Sequence, residues 1–331
     1  MFNMLTTCYL FLGGAGAGAL FMLGALECGN AKQRFGNTPD DLLAATASPR
    51  QLRMAFTLPD DFFSRGWPLC FIALAVGMLC LLADLGRPDR IINLLTSPEP
   101  SAIAVGAYAL VCSLLCAGAF SLLSLLETPP IPLAIIIVLA VASIASGLVT
   151  MVYTGVLLQS MASILFWQTP LLPTLFALSS LSCGIALTLL GTSFVEARYP
   201  FVRPIVWLCR IDTAVIALEA IVLTVYLAWG LIGEGTKLSA EALIAGDLRW
   251  LFWAGLVVCG LVVPLVMERL VTHGNYRTQL LWIAAFLLAG GFILRYCFVG
   301  TAIYDVTQMP DLLYGLTLDD GFSATSALTA L

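Results

Sequence analysis

A single histidine, His273, occurs in the 331 residues, within the stretch THGNYR. A haem held between two imidazoles needs at least two histidines inside helices, so this chain alone is not expected to ligate haem. Paired metal-ligand spacing is missing among the cysteines too. The ten are Cys8, Cys28, Cys70, Cys80, Cys112, Cys116, Cys183, Cys209, Cys259 and Cys297. None forms Cys-x-x-Cys, the close spacing that zinc and iron–sulfur sites use. Cys112 and Cys116 share a helix face, but both lie in an apolar run, where cysteine reads as a small buried side chain. No metal site is expected. Charge is scarce as well. Asp, Glu, Lys and Arg make up 11% of the chain, against about 25% in soluble domains. The net charge of −5 is spread over loops and tail. It leaves no basic footprint for nucleic acid.

Apolar residues take the space instead. They form 60% of the sequence, and the mean hydropathy is +0.98. Uncharged stretches cover residues 1–26, 100–126, 128–195, 250–267 and 278–294. About 20 helical residues cross a hydrocarbon core of ~30 Å, so such runs are membrane spans. The first run reads as a span in its own right, not as a leader with a charged n-region and a small-residue cleavage site. Proline divides the longest run. In QTPLLP (168–173), Pro170 and Pro173 interrupt helical hydrogen bonding, and ETPPIP (127–132) does the same earlier. Eight spans result: residues 5–26, 66–83, 103–126, 132–159, 172–195, 211–232, 250–267 and 279–300.

The loops alternate in charge. Those after odd-numbered spans hold Lys32, Arg34, Arg50, Arg53, Arg65, Arg198, Arg203, Arg210, Arg269 and Arg277. The other side holds Arg87, Arg90, Lys237, Arg249 and Arg295. Ten basic residues against five point to the first set as cytoplasmic, which leaves both termini outside. The polar to acidic tail from Asp305, with LDDGFSATS, reads as an external arm.

Small residues crowd the first span, YLFLGGAGAGALFML (9–23). Gly14-x-Gly16-x-x-Ala19 has the spacing of a dinucleotide fingerprint, but a phosphate cradle needs a strand before it and a water-exposed helix start after it. Here the glycines lie in mid-span. Gly14-xxx-Gly18 and Gly13-xxx-Ala17 instead read as small-xxx-small patterns that bring helices close in lipid. A face without side chains also leaves room for a flat ligand.

Further segments complete a pattern: YLFLGGAGAGALFMLGALE (9–27), LLADLGRPDRIINLL (81–95), YTGVLLQ (153–159) with FWQTPLLPTLFALSSLSCG (166–184), IDTAVIALEAIVL (211–223) and GGFILRY (290–296). In this order they resemble the NrfD family, the integral membrane subunits of polysulfide-reductase-type respiratory complexes. The resemblance implies an all-α integral membrane fold of eight transmembrane helices in two four-helix bundles. Residues 1–160 would form the first bundle, with a quinone site near the outer surface. Residues 161–304 would form the second, and 305–331 the external tail. It implies bound menaquinone or ubiquinone, with no haem or iron–sulfur cluster in this chain. It also implies a docked four-cluster ferredoxin-like iron–sulfur subunit, a molybdopterin catalytic subunit beyond it, and the cytoplasmic membrane of a prokaryotic cell.

Ionisable groups in spans cost about 2.5 to 3.5 kcal/mol each at the bilayer centre, so each one calls for an explanation. Asp84, Arg87, Asp89 and Arg90 gather at the outer end of the second span. They read either as a salt-bridged helix end stopped by Pro88, or as a quinone-site wall with Asp84 as proton acceptor. Tyr153, near the outer end of the fourth span, reads as an interfacial aromatic or as a hydrogen-bond partner for a quinone. Thr6, Thr7 and Tyr9 open the first span, where family members often carry Asn and His. Tyr9 stands as a replacement partner or as packing. With Gly14 and Gly18 these residues complete the candidate quinone pocket. Asp212 and Glu219 are seven apart, hence on one face of the sixth span. They are either protonated, paired, or part of a proton path. Arg295 either snorkels to the interface or pairs with an acid of another span. The function expected is a membrane anchor that oxidises quinol and passes electrons to an iron–sulfur partner. The terminal chemistry then belongs to the partner. The alternatives are a purely structural anchor or a transporter. A transporter would show inverted repeats or broken midplane helices, and the sequence has no clear internal repeat.

Overall fold

The computed structural model describes residues 4–35, 58, 60–85, 102–126, 132–161, 164–193, 202–233, 235–270 and 276–301. Helices and the turns that join them make up the described residues, with no strand among them. The elements are α1 (Met4–Phe35), α2 (Asp60–Leu85), α3 (Ala102–Leu125), α4 (Leu133–Gln159), a 3-10 turn (Leu165–Trp167), α5 (Leu171–Ser193), α6 (Val202–Ile232), the short α7 (Lys237–Ile244), a π-helix (Leu251–Val262) that runs into α8 (Val263–Arg269), and α9 (Tyr276–Gly300). Among the described residues, eight spans are long and apolar enough to cross a membrane, the seventh formed by the π-helix and α8 together. In hydrocarbon every backbone N–H and C=O must find a partner within the protein, and a helix satisfies them locally.

The spans match the expected positions, with one systematic difference. α1, α2 and α6 run well past the apolar stretch at the end where the first loop lies, to Phe35, from Asp60 and from Val202. Charge ended those spans in the sequence, but the helical hydrogen-bond ladder does not need lipid. Asp60 and Asp61 in the first turn of α2 favour a helix start. α4 stops at Gln159, and Pro170 and Pro173 flank the start of α5 as expected. In the seventh span the winding returns from π to α beside Pro264, which has no N–H to donate.

Spans alternate in direction. One face therefore gathers the start of α1 and the ends of α2, α4, α6 and α9; we call it the termini face. α1 is the hub: it packs along α2, α4 and α5 and also touches α9. α3 closes the first group against α2 and α4, while α5 packs on α6 and α9, and α9 on the π-helix. Glycine makes the central contact possible. A Cβ built on Gly18 would fall on the Ser180 carbonyl oxygen, and one on Gly184 would fall on the Gly18 carbonyl carbon. Backbones touch there, as the small-xxx-small reading requires.

Aromatic residues secure both ends. Trp167 Nε1 donates to the Phe298 carbonyl at 3.1 Å, and Tyr226 Oη donates to the Phe166 carbonyl, so the 3-10 turn is tied to α6 and α9. Trp67 stacks on Phe120 with centroids 4.2 Å apart. Leu115, Val138, Ile221 and other large apolar side chains point outward, as a lipid-facing surface requires. Exposed tryptophans lie toward both ends of the spans: Trp229, Trp250 and Trp253 at the termini face, Trp207 and Trp282 at the other.

Candidate functional site

At the termini face, α1, α2 and α4 bring four of the expected residues together. Thr6, buried on the first turn of α1, donates its hydroxyl to Asp84 Oδ2 at 2.8 Å. Asp84 is itself exposed, one residue from the end of α2. The carboxylate is therefore fixed by a buried donor while one side meets water. Tyr9 sits about one turn deeper on α1 and is 1% exposed. Its hydroxyl is buried with no hydrogen-bond partner. The Tyr153 hydroxyl faces it without reaching hydrogen-bond geometry. Tyr9 is five residues inside the start of α1 and Tyr153 six inside the end of α4. At 1.5 Å per residue both lie roughly 8 to 9 Å deep. The Tyr153 ring lies on the bare backbone of Gly106 in α3, where an added Cβ would collide with it. Arg87, Asp89 and Arg90 lie outside the described residues.

Gly14 and Gly18 have a different setting. Gly18 is covered by the α5 backbone. A Cβ on Gly14 would lie 2.5 Å from Ser180 Oγ and 2.9 Å from Arg295 Nη2. The flat surface of α1 is thus occupied by α5 and by an arginine.

That arginine does not snorkel. Arg295 is fully buried in α9. Nε donates to the Leu10 carbonyl at 3.0 Å, Nη1 to the Gly291 carbonyl at 2.7 Å and to Ser179 Oγ at 3.2 Å, and Nη2 to Ser180 Oγ at 2.7 Å. Its guanidinium carbon also lies 5.4 Å from the Phe176 ring centre and 5.9 Å from that of Phe11. One side chain therefore joins α1, α5 and α9, with its cation buried. Glu219 of α6 is the carboxylate within its electrostatic reach, and Ser179 lies between them.

Asp212 and Glu219 are both buried on α6, as their spacing suggested. Seven residues put them about 10 Å apart along the helix. A third acid joins them. Glu268, near the end of α8, is 6% exposed, and its Oε2 accepts from Thr213 Oγ1 at 2.7 Å. Its carboxyl faces Asp212, and Ser182 of α5 lies near Asp212 without completing a hydrogen bond. Sequence reasoning missed Glu268 because it directly follows the uncharged run and reads as a helix-end charge beside Arg269. Ser179, Ser180 and Ser182 were visible only as small residues of a span. Among the described residues, no group of three or more His, Cys, Asp or Glu is placed to hold a metal ion.

Eight apolar helical spans, carrying a polar cluster at one face and buried acids within, define a multi-pass membrane protein. The chain belongs to the NrfD family: the family described as Polysulphide reductase, NrfD, matches residues 1–306. It is 30% identical over 261 residues to the C chain of polysulfide reductase from Wolinella succinogenes, a match that takes in 72% of this sequence and 80% of that one. It is also 29% identical over 146 residues to protein NrfD of Escherichia coli (strain K12), over 44% of this sequence and 46% of that one. In that second match the aligned part spans about half the length of the relative.

Proposed function

We propose that this chain is the quinol-oxidising membrane subunit of a respiratory oxidoreductase complex. The observation that carries the reading is the Tyr9 hydroxyl, buried and without a partner beside Tyr153 and below the Thr6–Asp84 pair. A buried hydroxyl left unpaired costs about 1 to 3 kcal/mol. A ring hydroxyl or carbonyl arriving between α1, α2 and α4 would satisfy it. The residues present suit a quinone head: two phenol hydroxyls that donate or accept, a carboxylate held by Thr6, and apolar walls. Menaquinol and ubiquinol are the substrate class.

Oxidation of a quinol releases two electrons and two protons. Tyr9 and Tyr153 orient the ring. Asp84 takes the two protons in turn at its carboxylate and gives each to water, which it already meets. Electrons leave for an iron–sulfur subunit docked on the termini face, of the four-cluster ferredoxin-like type, with a molybdopterin catalytic subunit beyond. The name of the Wolinella succinogenes relative, one lettered chain of a reductase, supports a role beside other subunits. Asp212 and Glu219 form a proton route through the second group of helices. The basic asymmetry of the loops supports a cytoplasmic position for the face opposite the termini, so a reporter fused to the C-terminus should read as external. A cytoplasmic signal would invert every assignment of side made above.

Two substitutions test the pocket. Asp84→Asn keeps the shape and an acceptor for Thr6 but loses the proton acceptor. Quinol-dependent electron delivery by the assembled complex should fall about a hundredfold, with quinone affinity little changed. An undiminished rate would remove Asp84 from the chemistry. Tyr9→Phe separates binding from folding. Without ligand it should leave the protein as stable or about 1 kcal/mol more so, because an unsatisfied hydroxyl is gone. Quinone affinity should drop by a similar amount. If stability falls and affinity holds, Tyr9 is a packing residue and the pocket lies elsewhere.

A further inference from the structure

Two carboxyl groups that face each other inside a membrane protein pose a problem of donors. Asp212 is fully buried, and neither of its oxygens has a hydrogen-bond partner. Glu268 Oε1 is buried without a partner as well, while Oε2 takes the Thr213 hydroxyl. An ionised carboxylate only accepts. Two ionised carboxylates opposed at short range repel, and each has lost its water. Three of the four oxygens thus lack a donor at the point where the two groups meet. One proton between them supplies the donor and removes one of the two charges.

We propose that Asp212 and Glu268 are a proton-loading site, two carboxyls that share one proton and exchange it with water at the face opposite the termini. Position supports the exchange. Glu268 is the less deeply buried of the two, and its neighbours Arg269 and Leu270 are exposed. Asp212 is the inner member, on the same face of α6 as Glu219. A proton therefore enters at Glu268, crosses to Asp212 and continues toward Glu219 and the Arg295 cluster. The ionisable groups around the pair come from each packed element: Cys183 on α5, Cys209 and Glu219 on α6, and Arg295 on α9. Arg210, one helical position past Cys209, points outward and sits at the entrance. The shared proton leaves the dyad with one net negative charge, ready to receive another proton.

The site rests on the reading of the second helix group as a proton route, and two measurements keep the parts apart. The first is infrared difference spectroscopy on the full-length protein in lipid. A protonated-carboxyl band is expected in the wild type and should be absent from both Asp212→Asn and Glu268→Gln. In either variant the new amide N–H serves as the donor, and the remaining acid ionises. Glu219→Gln should keep the band. A band that survives in both variants, or is lost in only one, overturns the shared proton. So does a band displaced by sodium at constant pH, which would make the pair a metal-cation site. The second measurement follows proton uptake from the opposite face during quinol-dependent turnover of the assembled complex in sealed vesicles. Uptake should be lost in both dyad variants while proton release at the termini face persists. Unchanged uptake in variants that lack the band overturns the exchange role. Absence of quinol-dependent turnover in the wild type would instead refute the quinol reading, and the spectroscopic result would stand independently of it.

Discussion

Gly184→Ala is expected to cost about 3 kcal/mol, the upper range for overpacking in a tight interface. One methyl group is added, but it has nowhere to go. Its carbon would fall on the Gly18 carbonyl carbon and the Ala19 nitrogen. These are backbone atoms of a helix, so no change of rotamer relieves the clash. α1 and α5 must separate, and α1 is the element on which α2 and α4 also pack. The variant should unfold earlier in thermal denaturation. Gly29→Ala is the matched control. Gly29 is exposed on the same helix α1, with no atom within 4 Å of an added Cβ. Alanine there should be neutral or stabilise by about 0.5 to 1 kcal/mol through helix propensity. Equal effects at the two positions would mean that helix propensity, and not the contact between α1 and α5, sets the response.

The spans were legible in the sequence because lipid imposes one rule on every residue of a crossing segment. Apolar length read against turn signals located all eight, Pro170 and Pro173 divided the longest run, and the sixth was read as a span although it carries Asp212 and Glu219. That rule lapses where a helix leaves the hydrocarbon, so the extensions of α1, α2 and α6 went unseen. At the site, residues at matching depth were legible as a set. Thr6 meets Asp84, and Tyr9 meets Tyr153, because depth follows from position along a span. Azimuth does not follow so easily. When all faces of a helix are apolar, the sequence pattern does not say which face meets which neighbour. Gly14 read as a helix-packing position that also left room for a flat ligand, and the room it leaves is taken by Ser180 and Arg295. Arg295, near a helix end, read either as a snorkelling residue or as the partner of an acid on another span, and it is buried instead of snorkelling. Its direction toward α1 and α5 was set by Gly14 and Gly291, on two different spans. Glu268 was hidden by its place at the boundary of an uncharged run.

Arg295→Gln should have the largest effect of any single change among α5, α6, α8 and α9. The guanidinium makes four hydrogen bonds, two to backbone carbonyls and two to serine hydroxyls. A shorter amide offers fewer donors, so buried acceptors on α1 and α5 lose their partner. The positive charge also goes, and Glu219 is left as a buried acid without its cation. Buried acceptors left without a donor cost about 1 to 3 kcal/mol each. The two contributions separate in a double-mutant cycle. Glu219→Gln alone leaves a buried guanidinium whose hydrogen bonds remain but whose counter-charge is absent. Arg295→Gln with Glu219→Gln removes both charges, so the double variant should be more stable than the sum of the singles by about 1 to 3 kcal/mol. Arg295→Lys tests geometry against charge. It retains the cation but replaces the planar fork by a point donor. It should therefore spare Glu219 while still loosening α1 from α5. Strict additivity of the two Gln substitutions, measured by denaturation in a fixed lipid or detergent, would show that Arg295 holds the helices by hydrogen bonding alone. Glu219 would then carry its burial cost as a protonated acid.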